Sequence, residues 1–411
     1  MALCAGALAQ TPREVRAIAK DGSSAIPELT DFLKNSDAGI RNEAVKGLIE
    51  IGGVRSLDPL IAATRDNDDQ IQIRAVDGLV NFYVPGYVPS GMTANLKRAG
   101  SSIKQRFGDR NDQVIDPYVT VRPEVIQAIG HVLLGGSSTE SRANAARAIG
   151  ILRGRAALPD LYEVLRSRKD TDVLYESIVA IQKIRDEQAG PKVQYLLRDL
   201  NERVQIAAIE TAGILQNRAA LPDLRNVLNS SNKARVRRAA LAAIAMLPDP
   251  SNRDLYSGLL HDKDEALRTA AAEGFGRLRN AGDVAMLQTA YDAETKRAPQ
   301  LALAFAMVMD GRTESTEQSP LKFLIQNLGN SGSRGTAQAY LTEAARDPGV
   351  RLQLYGPMER GSKEEKIGLA QVLAGTGDHG AESHLESISR DKDRQVAQEG
   401  LRALRNLRAG K

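Results

Sequence analysis

Several short stretches carry letters that could do chemistry, and each fails on spacing or context. Gly375-Thr-Gly377-Asp-His-Gly380 matches the dinucleotide-phosphate fingerprint letter for letter. That fingerprint works only between a strand and an opening helix of a βαβ unit, where the helix N-terminus faces the pyrophosphate. Here helical periodicity precedes it, and glycine after a helix is the ordinary stop signal. His379 and His384 lie five residues apart with Glu382 between them. A zinc helix wants histidines four apart on one face, and five turns them off that face. Gly356, Gly361, Ser362 and Lys363 are phosphate-loop letters in the wrong order, and His131 and His261 stand isolated. The single cysteine, Cys4, supports neither a disulfide framework nor a thiolate metal cluster. The residues therefore predict no catalytic set, no cofactor and no metal.

The elements behind these residues are more informative. Arg155-Ala-Ala-Leu158-Pro159-Asp160-Leu161 returns 63 residues later as Arg218-Ala-Ala-Leu221-Pro222-Asp223-Leu224. An identical heptapeptide at twice a period of about 31 residues signals tandem repeats. In each repeat, four positions spaced 0, +4, +8 and +11 form a column set. It reads Ile40, Ala44, Leu48, Ile51, then Ile71, Ala75, Leu79, Phe82, and later Val236, Ala240, Ile244, Leu247. It reaches Val396, Gly400, Leu404, Leu407 near the end. Those offsets place all four residues on one face of a helix. The +4 position is always Ala, Ser or Gly, which lets another helix approach closely.

Three residues before each set stands a helix starter: Asp37, Asp68, Ser138, Asp170, Asn201, Lys233, Asp264 and Asp393. All but Lys233 can accept from the free N–H groups of a first turn, so these acids read as caps and not as catalysts. The preceding helix of each repeat carries Leu or Val at helical spacing, with Pro27, Pro59, Pro159, Pro191 or Pro222 near its start. The prediction is an all-α protein: a right-handed α-solenoid of about eleven antiparallel helix pairs.

Composition agrees. The chain has 411 residues, 42% hydrophobic but only 4% aromatic, with no Trp. One compact core rarely grows to that length, whereas stacked repeats bury their faces only against neighbours. The net charge of +4 is a weak argument for nucleic acid. Residues 1–9 end in Ala7 and Ala9, the small-x-small pattern of a signal-peptidase site, and are expected to be the remnant of a signal peptide. That expectation places the protein in the periplasm or outside the cell, with the cytoplasm as the alternative. Residues 10–24 read as a lead-in, 25–411 as the repeat array and 281–378 as degenerate repeats.

The A-L-P-D-L heptads, the acid before the second helix and the Arg that follows the first column residue (Ile40-Arg41, Val236-Arg237, Leu267-Arg268) resemble the HEAT-repeat family. The resemblance is to the short bacterial type first described in phycobilisome lyases. Gln72, Leu174, Gln205 and Ala397 interrupt the arginine column. The resemblance implies an α-α superhelix and a non-enzymatic scaffold that binds protein partners as a monomer. A HEAT-like lyase or enzyme accessory is the alternative, and a HEAT-like nucleic-acid binder the third. The absence of Trp and the small basic excess count against nucleic acid, and no apolar run reaches the ~20 residues of a membrane span.

One irregularity points to a contact surface. Between Ile71 and Ser141 the period is overrun, and the surplus lies in residues 84–120. Long insertions in a regular stack are uncommon without a role. Tyr83, Tyr87, Lys97, Arg98, Lys104, Arg106 and Phe107 place aromatics beside cations, a mixture that suits a protein interface. The bland alternative is that the aromatics pin the insertion to the array.

Overall fold

The computed structural model describes residues 11–88, 113–116, 118–167 and 170–409. Of the sites expected from sequence, Ala7 and Ala9 lie outside the described residues, as do Lys97, Arg98, Lys104, Arg106 and Phe107. The described part is all-helical, and its helices alternate as first and second members of pairs, eleven pairs in all. Residues 10–24, expected as a lead-in, include a helix over Pro12–Ile18, started by a capping box between Thr11 and Glu14, and its Val15 is fully buried.

The second helices are α1 (Ala38–Ile51), α2 (Asp69–Tyr83), α3 (Thr139–Ile151), α4 (Thr171–Ile184), α5 (Glu202–Ile214), α6 (Ala234–Ala245), α7 (Glu265–Leu278), α8 (Arg297–Met309), α9 (Arg334–Ala344), α10 (Lys363–Thr376) and α11 (Arg394–Ala409). Their four-residue columns face inward as expected. Ala75, Ala145, Ala208, Ala240 and Ala271 are all fully buried, and the large column residues beside them are buried or nearly so. Each fully buried Leu, Ile or Val contributes about 1.5–3 kcal/mol of transfer free energy, so every added pair strengthens the layer its neighbours began. The reason for the small column is visible at Gly400, where an added Cβ would stand 2.6 Å from the Ser389 backbone nitrogen of the preceding helix end.

The helix starters behave mostly as caps. Asp37, Asp68, Ser138, Asn201, Asp264 and Asp393 each accept a first-turn N–H. Asp170 makes no such cap; it accepts from Thr139 and pairs with Arg142 across to the neighbouring repeat. Lys233 likewise makes none.

A second polar position, two residues before the starter, holds five of these turns closed. Asn35, Asp66, Asp199, Asp262 and Asp391 accept the starter's own backbone N–H at 2.8–2.9 Å. Residues from the preceding repeat bind the same place. Arg41 forms a fork on Asp66 at 2.7 and 3.0 Å, Arg268 a fork on Glu294 at 2.7 and 3.2 Å, and Lys366 reaches Asp391 at 2.7 Å. Gln72 and Gln300 replace arginine and donate to the turn carbonyls of Asp66 and Glu294 instead. The ladder thus runs through several repeats and changes chemistry where the arginine is missing.

The chain clusters into two compact units. One comprises Met1–Ile115, Val119–Tyr195 and Asp199–Thr211; the other comprises Asp116–Tyr118, Leu196–Arg198 and Ala212–Lys411. The degenerate region lies in the second. There α8 is buried on every side from Leu301 to Val308. A helix apolar all round has lost the one-sided pattern that marks a repeat.

Candidate interaction surface

The flanks of the insertion engage the protein's own repeats. Tyr87 is buried, and the Tyr83 hydroxyl accepts the Arg122 backbone N–H at 3.1 Å. In the first unit, the Ile115 N–H donates to the Ile151 carbonyl at 2.9 Å and the Lys183 ammonium to the Gln113 carbonyl at 3.3 Å. In the second unit, Asp116 pairs with Arg402 of α11 at 2.9 Å, and the Arg405 guanidinium lies 5.7 Å from the centre of the Tyr118 ring. The Tyr118 hydroxyl donates back to Asp116 at 3.1 Å.

Two polar features of the second unit stand out. The first covers α8. Arg277 of α7 reaches past α8 to Glu343 of α9 with bonds of 2.8 and 2.9 Å, and also touches Glu273 at 3.3 Å. The Tyr340 hydroxyl donates to Glu273 at 2.5 Å while its ring stacks on Phe305 of α8, centroids 4.7 Å apart. Burial works against the Arg277 charge, but Glu343 and Glu273 outweigh it and hold the guanidinium firmly protonated. Burial, then the Glu273 charge, pushes the Tyr340 phenol well above its ordinary range, so it stays a donor. Every group in the cluster has a partner, which marks it as a clamp joining α7, α8 and α9.

The second feature is a groove of about 480 Å³ lined by α9, α10 and α11. Its polar walls are Gln338, Gln371, Thr376, Glu399, Arg402 and Asn406, and its floor includes Ala374, Ala403 and Leu407. Gly375 and Gly377, from the apparent dinucleotide fingerprint, form part of its rim. Gly377 ends α10 in the left-handed conformation, with φ of 72°, and Asp378 caps the short turn that follows. The stretch is a helix stop, as the sequence implied. The two histidines beside it serve different partners: His384 bonds Glu359 at 2.8 Å and stacks on Tyr355, whereas His379 lies 3.7 Å from Glu382. Among the described residues no group of three or more His, Cys, Asp or Glu is arranged to hold a metal ion, and no helix is long and apolar enough to cross a membrane.

The repeat geometry has a counterpart among known families. The family model for HEAT repeats matches residues 12–80 and 158–245, and that for the PBS lyase HEAT-like repeat matches residues 141–167. The chain carries HEAT repeats. These HEAT repeats coincide with the column-bearing pairs of α1 to α6, where the small +4 residue and the capped second helix are most regular. The matched stretch from residue 12 draws the short N-terminal helix into the HEAT array.

No curated protein matches the chain. Among solved structures, an engineered protein aligns at 18% identity and a TM-score of 0.39, covering 93% of this chain and 98% of its own. The complex of CpcE and CpcF of phycocyanin lyase from Nostoc sp. PCC7120 aligns at 18% identity and a TM-score of 0.34, over 78% and 95%. A structure concerned with a phosphorylation switch in the interaction between cadherin and beta-catenin aligns at 12% identity and a TM-score of 0.39, over 97% and 96%.

Sequence reasoning missed the groove and the clamp. The clamp's residues are spaced 66 and 67 apart, about two repeats, and nothing local marks them. The groove's amides Gln338 and Gln371 sit in degenerate repeats, where their facing could not be assigned without the column pattern.

Proposed function

We propose that this protein is a non-enzymatic scaffold whose HEAT repeats bind a partner protein, and that the groove between α9, α10 and α11 receives an extended segment of that partner. The observation that carries the reading is the groove's lining. Gln338, Gln371 and Asn406 offer side-chain amides, which both donate and accept and so match a peptide backbone's alternating groups. The Asn406 side-chain oxygen is buried and has no hydrogen-bond partner among the described residues. A buried acceptor left open is costly and is relieved by an incoming N–H. The pair of Arg402 with the chain's own Asp116, at 2.9 Å, supports a rim suited to a carboxylate.

The lyase-accessory reading stays second, supported by the match of residues 141–167. The test is site-specific photo-crosslinking in the native host, with the crosslinker at Gln371 or, for comparison, at exposed Leu352 on a first helix. A partner captured at Gln371 but not at Leu352, and lost when Asn406→Leu is added, supports the reading. Equal capture at both positions, or capture indifferent to Asn406, would overturn it.

A further inference from the structure

We propose that Arg153 and Arg185 together form a binding site for a phosphate-class oxyanion. Both residues sit immediately after a second helix, Arg153 just past α3 and Arg185 just past α4. Both are in the left-handed backbone region, with φ of 47° and 56°. Glycine adopts that conformation without strain and arginine does not. The turns use only the backbone there: the Arg153 N–H donates to the Gly150 carbonyl and the Arg185 N–H to the Ile181 carbonyl, each at 3.1 Å. The backbone alone would therefore favour glycine at both places.

Among the described residues the side chains have no counterion. Neither guanidinium makes a hydrogen bond or ion pair among the described residues. The neighbouring acid, Asp186, is turned to Arg155 at 3.5 Å. The two arginines are brought together by packing. At Gly150 of α3, an added Cβ would stand only 2.8 Å from the Ala180 Cα of α4, so the two helices touch near their C-terminal ends. Lys183 passes through the same contact, its Cδ 3.2 Å from that Cβ position. Both side chains reach solvent, yet partial burial and then the Arg185 charge work against the positive charge on Arg153, and no acid among the described residues offsets them.

Helix C-termini attract cations, and that would account for an arginine at either position. It does not account for two on touching helices, close enough for one charge to oppose the other, with no acid paired to either among the described residues. The position 63 residues beyond Arg153 is Gln216, also left-handed at φ of 54°, and its amide donates to the Gly213 and Met246 carbonyls. A neutral side chain thus suffices for the carbonyls at such an end. What two guanidiniums that oppose one another's charge add is charge and a pair of planar donor forks, which fit the oxygens of a phosphate group and lose their mutual repulsion on binding it. The anion has two sources, a free phosphate ion or a phosphorylated side chain of a partner, and both present the same oxygens.

The test uses the full chain and isothermal titration with inorganic phosphate, and separately with O-phosphoserine, against chloride at equal ionic strength. Saturable binding is expected, with Arg153→Gln and Arg185→Gln each weakening it about tenfold or more, the loss of a charge-assisted hydrogen bond. Arg279→Gln is the control, since Arg279 is left-handed at φ of 54° and equivalent in position to Arg153 but lies in the other unit. It should bind like the parent. Arg153→Gly should lose binding while its thermal midpoint stays level or rises, a combination that a purely structural arginine would not give. Tighter binding of O-phosphoserine identifies a phosphorylated partner, and tighter binding of inorganic phosphate a free ion. No saturable response above chloride, or equal losses in the Arg279 control, would overturn the proposal.

Discussion

Asp310 gives the sharpest prediction about stability. It follows α8, is only 6% exposed, and neither carboxylate oxygen has a well-formed hydrogen bond among the described residues, the Asn280 backbone being its one weak polar neighbour. Burial first, and the negative charge of Asp283 second, push its pKa from 3.8 to about 7, with the Asn280 backbone offsetting a little. An acid with a raised folded pKa keeps its proton in the native state over a window where the unfolded chain has released it. Stability is therefore full below about pH 4 and is lost as pH rises towards 7. The rise from 3.8 to about 7 corresponds to about 4 kcal/mol as an upper bound, and hydration of the site would reduce that to about half. Asp310→Asn keeps the shape and removes the ionisation. Above pH 7.5 the variant should be more stable than the parent by about 1–3 kcal/mol. At pH 5 the advantage should vanish or reverse, because the amide brings its own unsatisfied groups. Thermal midpoints of both proteins, measured from pH 4.5 to 8.5, read this directly. A parallel pair of curves, with a constant gap across the range, would refute the assignment.

Ala240→Leu should overpack the fully buried column and lower the unfolding free energy by about 1–3 kcal/mol, seen as a lower denaturant midpoint; an unchanged midpoint would show the face to be wrong. Arg279→Gly, at a left-handed position where arginine is strained, should gain about 0.5–1 kcal/mol, and a loss of stability by calorimetry would count against the strain argument. Arg277→Ala should cost about 3–5 kcal/mol by leaving Glu343 and Glu273 without their cation, and urea melts showing a loss below 1 kcal/mol would mean the clamp is solvated. Replacing residues 86–117 with a Gly-Ser linker removes the buried Tyr87 and Ile115 and the Asp116–Arg402 pair, so it should lower the thermal midpoint by several degrees while capture at Gln371 persists per folded molecule; an unchanged midpoint with capture abolished would return the contact surface to the insertion.

The regular repeats were legible because one-sided burial leaves a trace in sequence. The offsets of 4, 4 and 3 found the buried face of α1 through α7, and acids before those helices found most of the caps. Asp170 was misjudged as a cap because a cross-repeat arginine, Arg142, competes for the same carboxylate. In the degenerate stretch the column pattern fails, and α9 leaves the faintest trace. Its buried face is thin, with Ala337, Tyr340, Leu341 and Ala344, and Tyr340 serves the neighbouring α8. The turn acids two residues before each starter escaped notice because they are surface letters whose meaning lies in a bond to the next repeat. The candidate contact residues of the insertion were chosen by composition. Of these, Tyr83 and Tyr87 are spent on the protein's own packing, while the groove that suits a peptide is assembled from three helices more than 200 residues further along.

The central claim is that the α9–α11 groove holds an extended segment of a partner protein. Hydrogen–deuterium exchange of the full chain, with and without the partner captured at Gln371, tests it most directly. The account predicts slowed exchange on binding in residues 334–344, 363–376 and 394–409, with the first helices of the same repeats unchanged. Protection confined to the first helices, or none within the second unit, would contradict it.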